Sequence, residues 1–181
     1  MEIFFMEMSA IESKKLILNH YENSIQYIAK LTRLTDDCWL TPIAESKWSV
    51  CEIVGHLVPW DKFVMEKRLP YLLNLKQELE SPNVLEMNQI AALESLNISK
   101  DEGIKKCILT RLKLVNEIIK IPASEINKEL NIGTSILTVT AYFKGLIVHD
   151  LHHFQQIDEF LNKCDKKQHC SHVPCQKGVI T

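Results

Sequence analysis

An all-α fold, a four-helix bundle, is what this sequence predicts, and three observations carry the helical part of that prediction. Breakers are sparse, with five glycines and six prolines among 181 residues. Long stretches repeat their apolar residues at three- and four-residue steps, the period of a helix with one buried face. Two serine-to-glutamate capping boxes mark helix starts.

Taken in order, the first helix is expected from about Ser9 to Leu34, with Leu16, Ile17, Tyr21, Ile25, Ile28 and Leu31 as its buried stripe. A polar connection holding Asp36, Asp37, Pro42 and Ser46 follows. "SVCE", Ser49 to Glu52, opens the second helix, and Ile53, His56, Leu57, Trp60 and Val64 share one stripe. Pro59 removes a backbone donor from this pattern and predicts a kink just after His56. The helix is expected to reach about Leu79. "SPN" at 81 to 83 reads as a turn, and 84 to 96 as a short helix. "SKDE", Ser99 to Glu102, opens the third long helix, with Ile104, Ile108, Leu112, Val115 and Ile119 as its stripe and Pro122 as its stop. A connection over 123 to 133, with room for one helical turn, closes at Gly133. The fourth long helix is expected from Ser135 to Asn162; "TVT" could instead start a strand. No β-hairpin is expected. Four long amphipathic helices in one domain make a bundle the economical architecture.

The expected domain spans 1–163, with 164–181 as a tail containing cysteine and histidine. In that tail Cys164, His169, Cys170, His172 and Cys175 match no zinc-finger spacing. The six cysteines are read as thiols in a reducing compartment. Lysine plus arginine total 21 against 23 acidic residues, a net charge of −2, which argues against a nucleic-acid partner. No run of about 18 apolar residues suggests a membrane span. The opening "MEIFFMEMSA" lacks a basic leader and does not read as a signal peptide. A cytoplasmic location follows as the expectation.

Residues 147 to 157 read "IVHDLHHFQQI", with three of the seven histidines inside five positions. His149 and His153 are four apart, so they project from one face a turn apart, between Leu146 and Ile157 on the predicted seam. His152 lies off it. The seam of the second helix carries His56. A bundle can therefore bring His56, His149 and His153 together in its interior. Buried imidazoles need partners. A divalent metal is one answer, because neutral imidazole suits zinc, nickel, iron and copper, and three protein ligands leave an open position. Polar packing of the same histidines against carboxylates or water is the other.

"KWSVCEIVGHLVPWD" (47 to 61) and, about ninety residues later, "HDLHHFQQI" (149 to 157) resemble the paired signatures of the DinB/YfiT-like superfamily. The resemblance spans roughly residues 9 to 163. It implies a four-helix bundle with a metal held by His56, His149 and His153; zinc or nickel comes first, with iron or manganese as alternatives. It also implies a homodimer. Activities known in the superfamily include thiol-dependent S-transfer and isomerisation, and many members are labelled metal-dependent hydrolases. The implied partner is a small-molecule substrate, with a low-molecular-weight thiol as one candidate. Around the ligands, Glu52 could orient His56 but is favoured as the capping residue. Asp61 matches the signature and stands between a ligand contact and a solvated charge. His152 matches the extra histidine of the signature but points away by its offset. Pro59 departs from the pattern, which expects no proline one turn after the first ligand. The alternative function is a non-catalytic, stress-associated bundle with a vestigial metal site.

Overall fold

A computed structural model describes residues 2–73, 81–132 and 135–170. The first helix, α1 (Glu2–Lys30), ends in a 3₁₀ turn at Leu31–Arg33. Its inward face is Ile17, Tyr21, Ser24, Ile28 and Leu31, whereas Leu16 is half exposed. The connection contains a short helix, α2 (Asp36–Leu40), capped by Thr35. The segment after α2 closes on itself, with the Ile43 amide donating to the Trp48 carbonyl at 3.0 Å. That closure delivers Trp48 to the start of the next helix.

Helix α3 (Val50–Phe63) begins with the predicted capping box: the Ser49 side chain accepts from the Glu52 amide, and the Glu52 carboxylate accepts from the Ser49 amide at 2.8 Å. Pro59 does not end the helix. The departure from α geometry comes a turn later, as a π turn at Val64–Arg68 followed by α4 (Leu69–Leu72). The expected continuation to Leu79 falls outside the described residues. Helix α5 (Val84–Ser95), capped by Asn83, lies against α3. Gly55 permits this approach, because a Cβ there would lie 2.4 Å from the Cβ of Ser95. Trp60 ties the two helices as well, donating to Asn88 at 2.8 Å.

Helix α6 (Lys100–Lys120) starts at the second capping box, Ser99 with Glu102. Its buried face corrects the sequence reading. Leu112 and Ile119 are largely exposed, while Ile104, Cys107, Arg111, Leu114 and Ile118 point inward. Those are steps of three, four, three and four, and the stripe is continuous only if a charged residue is admitted to it. A search for apolar residues skips Arg111 and slips out of phase.

After α6 comes one helical turn, α7 (Ala123–Ile126), and then a hairpin that the sequence reading did not expect. Strands β1 (Leu130–Ile132) and β2 (Ser135–Leu137) pair antiparallel, with Asn131 opposite Ile136. Ile136 and Leu137 provide β-favouring side chains for such a pair. The predicted helix start at Ser135 is therefore moved. Helix α8 runs Val139–Cys170, with the Thr138 hydroxyl accepting from the Ala141 amide at 3.0 Å. Of the expected tail, the stretch to Cys170 continues α8, and 171–181 lie outside the described residues.

The four long helices α1, α3, α6 and α8 form the bundle, and α6 packs against both α1 and α3. Its interior has two apolar clusters. One gathers Ile28, Ile53, Leu57, Cys107, Phe154 and Ile157; the other gathers Ile17, Tyr21, Val64, Leu114, Ile118 and Phe143. Between them lie four buried polar residues, Ser24, Asp61, Arg111 and Asp150, one from each long helix. Cys38, Cys51 and Cys107 are free thiols, and Cys51 donates to the Ser95 carbonyl at 3.2 Å. Among the described residues no helix is long and apolar enough to cross a membrane.

Candidate metal centre

His56 projects from the second turn of α3, and His149 and His153 from successive turns of α8. One ring nitrogen from each lies within 4.8 Å of those of the other two. The Nε2 atoms of His56 and His149 are 3.5 Å apart. The ring planes are steeply inclined to one another, with centroids 4.6 to 5.3 Å apart.

The partners of the outer nitrogens set which atoms face inward. His56 Nδ1 donates to the carbonyl of Ile53, on its own helix. His153 Nδ1 donates to Gln156 Oε1 at 2.9 Å. A neutral imidazole has one N–H, so these bonds leave Nε2 of both rings as bare lone pairs. His149 Nδ1 faces Asp150 Oδ1 at 3.6 Å, which favours a proton on that nitrogen too. Three lone pairs then converge, an arrangement that repels itself without a cation between them. The donor set therefore fits a divalent metal, with carbonyl, amide and carboxylate oxygens fixing each ring from behind.

The electrostatics agree. Burial lowers the His56 pKa to about 3, with the neighbouring His153 and His149 adding to the effect. Burial and His149 lower that of His153 to about 4. Both are neutral near pH 7, the form that binds metals. His56 is fully buried, and Trp48 covers it with ring centroids 5.0 Å apart. The His149 side chain is 41% exposed, so the cluster opens to solvent on the α8 side.

The other sequence candidates are placed differently. The Glu52 carboxylate is engaged by the Ser49 amide and hydroxyl. His152 is exposed and stands outside the cluster. Asp61 is neither solvated nor at a ligand: it is 4% exposed and accepts from Arg111 Nε at 3.1 Å. Gln156, the second glutamine of the 149–157 stretch, orients His153 from the i+3 position. One residue was not singled out from the sequence. Arg111 anchors the polar layer beside the cluster, and its signal was a charge in phase with the α6 stripe.

Arg111 is completely buried. Its Nη1 donates to Ser24 Oγ at 2.9 Å and to Asp150 Oδ2, and its Nη2 donates to Asp150 Oδ1 at 3.1 Å. His20 Nε2 meets the same Asp150 carboxylate at 3.0 Å. Burial alone would raise the pKa of Asp150, but Arg111, His149 and His20 hold it well below the usual carboxylate range. Asp61 shares the guanidinium, but burial, with the neighbouring Asp150 charge adding to it, pushes its pKa up to about 7.

A groove of about 380 Å³ runs along another face of α3, lined by Val54, Gly55, Val58 and the facing side of α5. None of the three histidines lines it. Convergent donor chemistry, rather than volume, marks the functional site.

This chain is a four-helix bundle with a tri-histidine cluster between its second and last long helices, and its fold is YfiT-like. A solved structure that it matches is that of YfiT from Bacillus subtilis, described as a probable metal-dependent hydrolase with an unusual four-helix bundle topology. The match has a TM-score of 0.66 and covers 84% of this chain and 87% of that one, at 14% sequence identity. No family model and no curated protein matches the sequence.

Proposed function

We propose that this chain is a metal-dependent enzyme whose divalent ion, zinc or nickel, is held by His56, His149 and His153 and activates a low-molecular-weight thiol for S-transfer or water for hydrolysis. The observation that carries the reading is the convergence of three imidazole nitrogens whose outer atoms are already engaged or faced by protein oxygens. A divalent ion held there supplies Lewis acidity, lowering the pKa of a thiol or water that reaches it. The Ile53 carbonyl and Gln156 fix ring orientation, so the nitrogens are set before any ligand arrives. Trp48 shields the His56 side from water. The half-exposed His149 marks the side from which a small substrate enters. The hydrolase branch is supported by what is said of YfiT, and the transferase branch by the superfamily signatures at 47–61 and 149–157.

The test loads purified protein with zinc or nickel. It then offers cysteine or a cysteinyl-glucosamine thiol with a chlorodinitrobenzene electrophile, and separately a nitrophenyl ester. Turnover that needs the metal and disappears in His56→Ala supports the reading. Metal-loaded protein inert toward both substrate types contradicts it, and leaves a binding bundle in its place. A cytoplasmic homodimer belongs to the same reading; light scattering should give twice the chain mass of 20.9 kDa.

A further inference from the structure

We propose that Arg111 is a positioning residue for the tri-histidine cluster: it sets the register of α8 against α3, and hence the separation of His149 and His153 from His56. The inference rests on the metal-site reading above.

The ligands come from two helices that must hold a fixed offset along the bundle axis. Apolar side chains fix such an offset weakly, because a Leu, Ile or Phe contact tolerates sliding and repacking. A bidentate guanidinium–carboxylate pair does not, since both N–H···O bonds require one geometry. Arg111 makes that pair with Asp150, the residue next to His149 in the chain. Its Nε holds Asp61, on α3 five residues after His56. Its Nη1 also reaches Ser24 on α1, and the guanidinium lies 5.1 Å over the Tyr21 ring. A single side chain thus joins all four long helices at one level, between two apolar clusters.

Isolating this much charge from water is costly, and an apolar replacement of similar volume is often no less stable. Stability alone does not explain the layer, whereas fixing a metal cage does. The cage needs ligand nitrogens placed to within about half an ångström.

Cobalt(II) titration of the full chain, read by its visible d–d bands, tests this directly. The variants are Arg111→Met, Arg111→Lys, and Ile126→Ala as a destabilised control whose residue lies in α7, away from the cluster. His56→Ala gives the background for cobalt held elsewhere. Lysine keeps the charge but cannot span both carboxylates. Both Arg111 variants should bind cobalt at least tenfold more weakly than the parent and shift the band envelope, while Ile126→Ala stays within twofold. If Arg111→Met does not fold, Arg111→Lys decides. Parental affinity and bands in the folded Arg111 variants would overturn the inference and leave the metal reading standing. So would an equal loss in Ile126→Ala, because general destabilisation would then suffice. A parent that binds no more cobalt than His56→Ala would remove both.

Discussion

At the scale of single residues, the molecule treats its buried charges and imidazoles as a connected set. His56 and His153 are kept neutral by burial first and by neighbouring histidines second, with pKa values of about 3 and about 4. Their unfolded value is about 6.5, and the sign of the pH dependence follows. Above pH 6.5 neither state takes up protons at these groups, so the terms vanish. As pH falls below 6.5 the unfolded chain binds protons that the folded chain refuses, and stability drops until the folded values are reached. Chelated protein should therefore lose stability between about pH 6.5 and 4. In His56→Ala that slope should be shallower, as denaturant midpoints across the range would show. Arg111 gives a sharper case. Removing one member of a buried ion pair strands the others, so Arg111→Met should cost about 3–5 kcal/mol. A loss under about 1 kcal/mol in urea unfolding would mean that Asp61 and Asp150 take up protons and adapt.

Elements can be judged by how much of each was written in local sequence. The helix starts were legible, because a capping box is a short-range code: Ser49 with Glu52 and Ser99 with Glu102 form as read. The pairing of His149 with His153 was legible for the same reason, as i, i+4 geometry needs only the helix itself. The face of α6 was not, because burial of Arg111 depends on Asp61 and Asp150, 50 and 39 residues away in the chain. The β1–β2 hairpin was missed because six strand residues carry too little periodicity against the long helical pattern that follows. Pro59 suggested a kink just after His56, yet the π turn sits a turn beyond Pro59, where α3 passes into α4. Two predictions belong to this scale. Ser49→Ala removes the cap that starts the His56 helix and should cost about 1 kcal/mol, visible as a lower melting temperature. Gly55→Ala forces α5 away from α3, since Ser95 occupies the space of the new Cβ, and should cost about 1–3 kcal/mol. An unchanged melting temperature in Gly55→Ala would mean that α5 yields freely.

Across the whole molecule, the bundle separates its tasks by level. Two apolar clusters supply burial at either end, and the polar layer of Ser24, Asp61, Arg111 and Asp150 lies between them. The tri-histidine cluster stands beside that layer, closed by Trp48 on the His56 side and open at His149. On the proposed reading, an ion held by residues 56, 149 and 153 would close a long loop of chain. Metal should therefore raise the melting temperature in proportion to the logarithm of its free concentration once the site saturates, and chelation should reverse the gain. The His152→Ala variant should show the same gain as the parent, because that ring lies outside the cluster.

On the proposed reading, residues from two distant parts of the chain form one metal site. Elemental mass spectrometry of the purified full chain, alongside His56→Ala, His149→Ala and His152→Ala, measures it most directly. About one zinc or nickel per chain is predicted in the parent and in His152→Ala, with a loss of most of it in both His56→Ala and His149→Ala. No bound metal in the parent after incubation with zinc and nickel, or a full complement retained in His56→Ala, would contradict the account.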